Sequence, residues 1–218
     1  MLPALPVCAK GTFPNMGFYN DILLPRLCDM AMRHRELLPY RARVIAAARG
    51  RVLEIGIGSG LNLPFYGPDV TGILGVEPAP RLLAMARRAP RPDIPLALIK
   101  AGAEAIPIDD HAIDTVVTTW SMCSIAQIDR AVSEARRVLK VGGKLLFVEH
   151  GRAFEPGTCA WQDRLNPLWK RLSGGCHLNR DIGDILSRNG FHIETMNTGY
   201  MNAMKPLSFL YEGQARPR

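Results

Sequence analysis

The chain lacks the runs that would place it in a membrane or on a nucleic acid. No stretch approaches the roughly 18 consecutive apolar residues that a membrane span needs. Residues 1–6, Met-Leu-Pro-Ala-Leu-Pro, carry neither a charged segment nor a long apolar core, so they do not read as a signal peptide. Lys and Arg outnumber Asp and Glu by 27 to 20, a net charge of +7, yet the cations are scattered. Arg87-Arg88 and Lys170-Arg171 are short pairs that suit solvated helix faces, and no nucleic-acid partner is expected. Cysteines are few: Cys8, Cys28, Cys123, Cys159 and Cys176. No two have metal-ligand spacing such as C-x-x-C, so the expectation is no metal and a reduced, cytoplasmic compartment. Repeats, low-complexity tracts and linkers are also missing, and 218 residues suffice for one domain with a full core.

What is present is an alternation of apolar runs with helical segments. Strands are expected at 52–55, 72–77, 96–99, 113–119 and 144–149, each a continuous apolar run. That pattern marks a parallel sheet buried on both faces. Helices are expected at 81–86 behind Pro80 and at 128–139. Trp161, Leu165, Leu168, Trp169 and Leu172 recur at helical spacing in an insertion after the fifth strand, and a further helix is expected over 179–189. Two last strands, 191–197 and 207–212, read as a hairpin-like edge. Residues 1–50 read as an N-terminal helical arm, broken by Pro25 and Pro39, and 51–218 as the sheet domain. Phe18 and Tyr19 have two readings: a lid over a ligand, or packing of the arm on the core.

The stretch Val52-Leu53-Glu54-Ile55-Gly56-Ile57-Gly58-Ser59-Gly60 organises the rest. A buried strand runs into three glycines, which permits close approach of a ligand. A dinucleotide fingerprint spaces its glycines G-x-G-x-x-G; here the fourth spacer is missing, and Glu54 stands two residues before the first glycine. A carboxylate there suits a cationic group better than a pyrophosphate. Glu77, ending the second strand, suits the two hydroxyls of a ribose. A ligand with a ribose and a positive amino-acid end is S-adenosylmethionine. Glu54, Glu77, Thr119-Trp120 and Glu149-His150 all fall at strand carboxyl ends, where such sheets bind ligands.

These residues resemble the class I S-adenosylmethionine-dependent methyltransferases. Residues 52–60 are similar to their first motif, Glu104-Ala105-Ile106-Pro107 to the segment beside the adenine, and 136–143 to the stretch before the fifth strand, with Val141 in place of a proline. The resemblance implies an α/β, Rossmann-like, doubly wound and mostly parallel seven-stranded sheet. It implies cofactor contacts from Glu54, Gly56, Gly58, Gly60, Glu77, Pro78, Ala103, Glu104, Thr119 and Trp120, with Tyr19 from the arm. Gly102 stands where many quinone and sterol methyltransferases carry Asp, which shifts the adenine amino contact to Glu104 or to backbone groups.

A narrower likeness lies in Cys123-Ser124, residues 147–150, Trp161-Gln162, Pro167-x-Trp169 and Gly175-Cys176-x-Leu178-x-Arg180. These resemble the methyltransferase-like alkyl thiol S-methyltransferases of the endoplasmic reticulum, whose apolar N-terminal anchor is missing here, so a soluble form is implied. The acceptor implied is a small thiol. A quinone, phenol, lipid amine or arsenite is the alternative, and a nucleoside-binding domain without turnover the third reading. A thiolate forms at mild pH and needs no strong base. His150 is the best-placed assistant, with Cys123 and His177 beside it as catalytic candidates; a cationic His177 would lower a thiol's pKa. Each also has a plain structural reading, as a satisfied histidine or a small buried apolar residue.

Overall fold

The computed structural model describes residues 24–218. Two short helices, α1 (Leu24–Met32) and α2 (Leu38–Ile45), come first, each with its proline in the first turn, where a missing N–H costs nothing. The sheet strands are β1 (Gly50–Ile55), β2 (Val70–Val76), β3 (Leu96–Ile99), β4 (Ile113–Thr119), β5 (Leu139–His150), β6 (Phe191–Tyr200) and β7 (Phe209–Pro217). Between them run α3 (Pro80–Ala86), α4 (Ile128–Val138), α5 (Pro156–Leu172), α6 (Ile182–Arg188) and the single turn α7 (Lys205–Ser208).

Strand order is β3-β2-β1-β4-β5-β7-β6. The first five strands are parallel, while β7 runs antiparallel to both neighbours. The sheet is therefore mostly parallel and seven-stranded, flanked by helices, as the apolar runs predict. In β1, Val52 to Ile55 are all buried, and in β4 only Asp114 escapes full burial, so both faces of the centre are covered. Helix α4 covers one face with Ile128, Ala131, Val132, Ala135 and Val138, a 3.6-residue stripe. The last pair differs from expectation in one respect: β7 enters between β5 and β6, so only β6 is the edge, and its residues 194–199 lie exposed.

The strand order reverses between β1 and β4, and sheets of this kind hold ligands at that switch, beyond the carboxyl ends. The insertion helix α5 buries Gln162 rather than its aromatics. The Gln162 amide donates to Gly151 O (3.0 Å) and accepts from Ala153 N (2.9 Å), which seats α5 on the end of β5. Trp161 stays 56% exposed. Among the described residues no helix is long and apolar enough to cross a membrane.

Candidate active site

The carboxyl ends of β1, β2 and β4 open into a cavity of about 460 Å³, within the range of small-molecule sites. From β1 and its loop come Glu54, Gly56 and Gly58; from the end of β2, Glu77 and Pro78. Ala103 and Glu104 form another wall, and Thr119 and Trp120 a third. Of the expected cofactor residues, Gly60 does not line it, and Tyr19 lies outside the described residues.

The three glycines do different work. Gly56 has φ +70°, and a Cβ there would sit 2.2 Å from Ser121 Oγ, so the loop closes against the turn after β4 only without a side chain. At Gly58 a Cβ would meet nothing closer than Gly56 O at 3.9 Å; it would fill the cavity instead. Gly60 turns inward, where a Cβ would lie 2.9 Å from Ala89 Cβ and Leu63 Cδ1. Its role is packing, not ligand contact.

Glu54 is 1% exposed. Asn62 Nδ2 donates to Oε1 and the Tyr66 hydroxyl to Oε2, both at 2.8 Å. Burial pushes the carboxyl up to about 7, and the two hydrogen bonds and the nearby Arg41 charge hold it from rising further. Arg41 is itself buried and pushed down to about 10, with Glu54 opposing the fall. Its guanidinium donates to Asn62 Oδ1 (2.6 Å) and lies 4.8 Å over the Trp120 ring. Each carboxylate oxygen keeps a spare lone pair, which a ligand ammonium can occupy.

Glu77 is 7% exposed and raised by burial. It accepts from Ala79 N (2.9 Å) and Gly58 N (3.3 Å), tying the end of β2 to the glycine loop. Two acids, a bare glycine edge and an aromatic wall suit S-adenosylmethionine: an ammonium by Glu54, a ribose by Glu77. Glu104 is engaged by Gln127 N at 3.3 Å, at the start of α4. Trp120 holds φ +49°, a strained value for a bulky residue, and strain of this kind collects at functional sites. On the open side, Pro25, Cys28, Asp29 and Met32 of α1 line the cavity, and Ser59 Oγ donates to Asp29 Oδ1, clipping the arm to the loop.

The residues expected on the acceptor side lie elsewhere. Cys123, His150 and His177 do not line the cavity; their neighbours Ser124, Ser173 and Gly174 do. Cys123 and His150 are 4% and 6% exposed. His150 Nδ1 lies 3.9 Å from Cys176 Sγ. The Cys123 thiol holds the Cys176 thiol well below its ordinary value, aided by His150, while Cys123 itself is held up by Cys176 and by burial. His177 donates its backbone N–H to Cys123 O (2.8 Å), and its ring Nδ1 meets the same oxygen at 3.1 Å. Desolvation and the Arg180 charge push His177 down. The guanidinium of Arg180 donates to Met122 O and, at 2.7 Å, to Ile125 O. Glu149 is fully buried, pushed up to about 7 by burial, and accepts from Thr118 Oγ1 (2.7 Å) and Ser121 N (3.1 Å). Trp161 and Trp169 do not line the cavity; Trp120 does.

Sequence reasoning missed Arg41, Asn62, Tyr66 and Ser121. Asn62 and Tyr66 follow the glycines closely and were findable as partners for a buried acid. Nothing in the local pattern around Arg41 marks it.

A methyltransferase domain model matches residues 53–147. The chain is 31% identical over 170 residues to thiol S-methyltransferase TMT1A of Homo sapiens, covering 75% of this chain and 69% of that protein. To TMT1B of Mus musculus it is 30% identical over 196 residues, 85% of this chain and 77% of the relative. Among solved structures, an S-adenosylmethionine-dependent methyltransferase of Thermotoga maritima, described as a possible histamine N-methyltransferase, superposes with TM-score 0.65 at 19% identity, over 92% of this chain and all of that one. With that fold and that identity, the chain belongs to the S-adenosylmethionine-dependent methyltransferases, in the family of the thiol S-methyltransferases TMT1A and TMT1B.

Proposed function

We propose that the methyl acceptor of this S-adenosylmethionine-dependent methyltransferase is a small thiol. The observation that carries this reading is the 30–31% identity to thiol S-methyltransferases over 75–85% of the chain. The cavity is consistent with it. Its wall on the β4 side is Trp120, Ser121, Ser124 and Ile125, an apolar and hydroxyl surface with no free carboxylate or histidine of its own. A thiol needs no strong base there, because its thiolate forms at mild pH.

S-adenosylmethionine, when bound, supplies a methyl group already activated on a sulfonium. The protein's part is to hold the acceptor in line and keep water out, a proximity effect of about several kcal/mol. Glu54 and Glu77 hold the two ends of the donor. Trp120 and the arm residues Cys28 and Met32 narrow the mouth, with α1 as the covering element. Cys123, His150 and His177 act as positioning residues behind the wall, and the reduced thiols suit a cytoplasmic setting.

A panel assay with labelled S-adenosylmethionine tests the acceptor: short alkyl thiols, sulfide, arsenite, phenols, quinols and lipid amines. Turnover on thiols alone is the expected result. Turnover confined to quinols or lipid amines overturns it, and donor binding without any turnover favours a nucleoside-binding domain.

A further inference from the structure

Three side chains from separate parts of the chain converge behind the cavity wall. Cys123 comes from the turn after β4, His150 ends β5, and Cys176 follows the turn after α5. Each offers one ligand atom, and the three atoms lie within 4.8 Å of one another. No sequence spacing announces them, because each sits on a different segment. The segments are fastened independently of the sulfurs: His177 binds Cys123 O through its backbone, and Arg180 binds the carbonyls of Met122 and Ile125. The pocket for the three ligand atoms is therefore built by the fold and does not depend on their bonding.

Two observations argue for an occupant rather than simple packing. His150 Nε2 is buried without a hydrogen-bond partner, where buried polar groups ordinarily find one. The Sγ of Cys176 faces the imidazole at 3.9 Å, too far for a strong bond and close to the separation of two ligands on one ion. A tetrahedral zinc with bonds of about 2.3 Å to sulfur and about 2.0 Å to nitrogen sets its ligand atoms roughly 3.5–3.8 Å apart. Small side-chain rotations close the observed spread to that size.

Chemistry selects the ion. Two thiolates and an imidazole favour a soft or borderline cation over magnesium or calcium, which take oxygen ligands. Two thiolates also balance a dication, and the nearby Arg180 charge faces Cys123 and Cys176 first and Glu149 after them. We propose that Cys123, His150 and Cys176 form a Cys2His site for a zinc ion, with the fourth position open. Three protein ligands with an open fourth place is the pattern of zinc sites that take an exchangeable ligand. The cavity wall at Ser124, Ser173 and Gly174 adjoins two of the ligand-bearing turns. Binding releases the protons still held by the two thiols and changes no oxidation state. The site does not depend on which acceptor the enzyme uses.

The test uses the full chain, reduced, loaded with zinc sulfate and dialysed, with metal counted by mass spectrometry. One zinc per chain is expected. Cobalt(II) in its place is expected to give tetrahedral absorption bands and a thiolate charge-transfer band in the near ultraviolet. Cys176→Ser is expected to halve that band and weaken zinc binding at least tenfold, whereas Cys159→Ser leaves both unchanged. As a check that needs no variant, zinc is expected to protect Cys123 and Cys176, but not Cys28, from alkylation read by peptide mass mapping. The proposal is overturned by less than a tenth of an equivalent of zinc, by a cobalt spectrum without charge transfer, or by protection that falls on Cys28 and Cys159. Recovery of a Cys123–Cys176 disulfide that takes up no zinc after reduction overturns it as well.

Discussion

The proposed donor end and the proposed acceptor end of this protein are built on different plans. The donor pocket hangs on one continuous stretch, residues 52–66: β1 delivers Glu54, the glycines turn, and Asn62 and Tyr66 fold back onto the same carboxylate. The acceptor end has no such stretch. Cys123, His150 and the pair Cys176 and Arg180 arrive from three places and meet only because β4 and β5 are neighbours and Gln162 seats α5 on the end of β5. Local construction makes the first end sensitive to backbone changes. Assembly from a distance makes the second sensitive to the clamps between segments.

The sharpest way to break the donor end is at Gly56. Gly56→Ala forces a side chain into a left-handed φ of +70°, costing about 1–2 kcal/mol, and drives it into Ser121. Donor affinity measured by titration calorimetry should fall at least tenfold, with a lowered melting temperature. Adding Ser121→Gly should recover part of the loss, since it removes the overlap but not the strain. Wild-type binding by Gly56→Ala would show that the loop is not held at that distance.

Next come two substitutions that should separate the ends. Glu77→Gln should weaken S-adenosylmethionine by roughly 10- to 100-fold, the worth of a charge-assisted hydrogen bond or two, while acceptor KM at saturating donor stays put. Arg180→Met should do the reverse. It frees the carbonyls of Met122 and Ile125, so kcat/KM for the acceptor should drop about tenfold or more as Ser124 and Ile125 shift. Donor binding should stay within about twofold. If both variants lost the same parameter, the two ends would not be separate.

A smaller effect should appear on changing pH. Burial holds Glu54 near 7, and its charged form is the one that attracts an ammonium. Donor affinity should be flat above about pH 8 and roughly tenfold weaker one unit below the pKa. Glu54→Gln should flatten the profile at the weak end. Stability runs the opposite way. The folded carboxyl holds its proton to about 7 and the unfolded one only to 4.5, so this contribution is full below 4.5 and lost as pH rises through 7. Thermal melts of ligand-free protein against Glu54→Gln should show that slope. The smallest change expected is from Tyr66→Phe, which removes one 2.8 Å bond to Glu54, worth about 1 kcal/mol. It should raise the pH midpoint of donor binding and barely touch turnover at pH 8.

That Glu54, Gly56, Gly58 and Glu77 share one cavity was legible in the sequence because its signals are local. Glycines after a buried strand, and an acid at the end of each of two strands, report on backbone and burial within a few residues. Arg41 was invisible for the opposite reason. It lies on α2 with no pattern of its own, and only folding sets it between Asn62 and Trp120. Gly60 looked like its two neighbours and proved to be a packing glycine, a difference that depends on Ala89 and Leu63 arriving from elsewhere. The aromatics of α5 followed helical spacing faithfully, yet Gln162 took the buried place because two backbone carbonyls and an N–H awaited it.

By itself the sequence determined the parallel sheet, its alternation with helices, and the methyl donor, since strand burial and close backbone approach are written in neighbouring residues. Only the tertiary structure decided where the thiols go. Whether Cys123 and Cys176 are two isolated core residues or one cluster with His150 depends on strand order and on the seating of α5. Those are consequences of packing between distant segments, which no local spacing records.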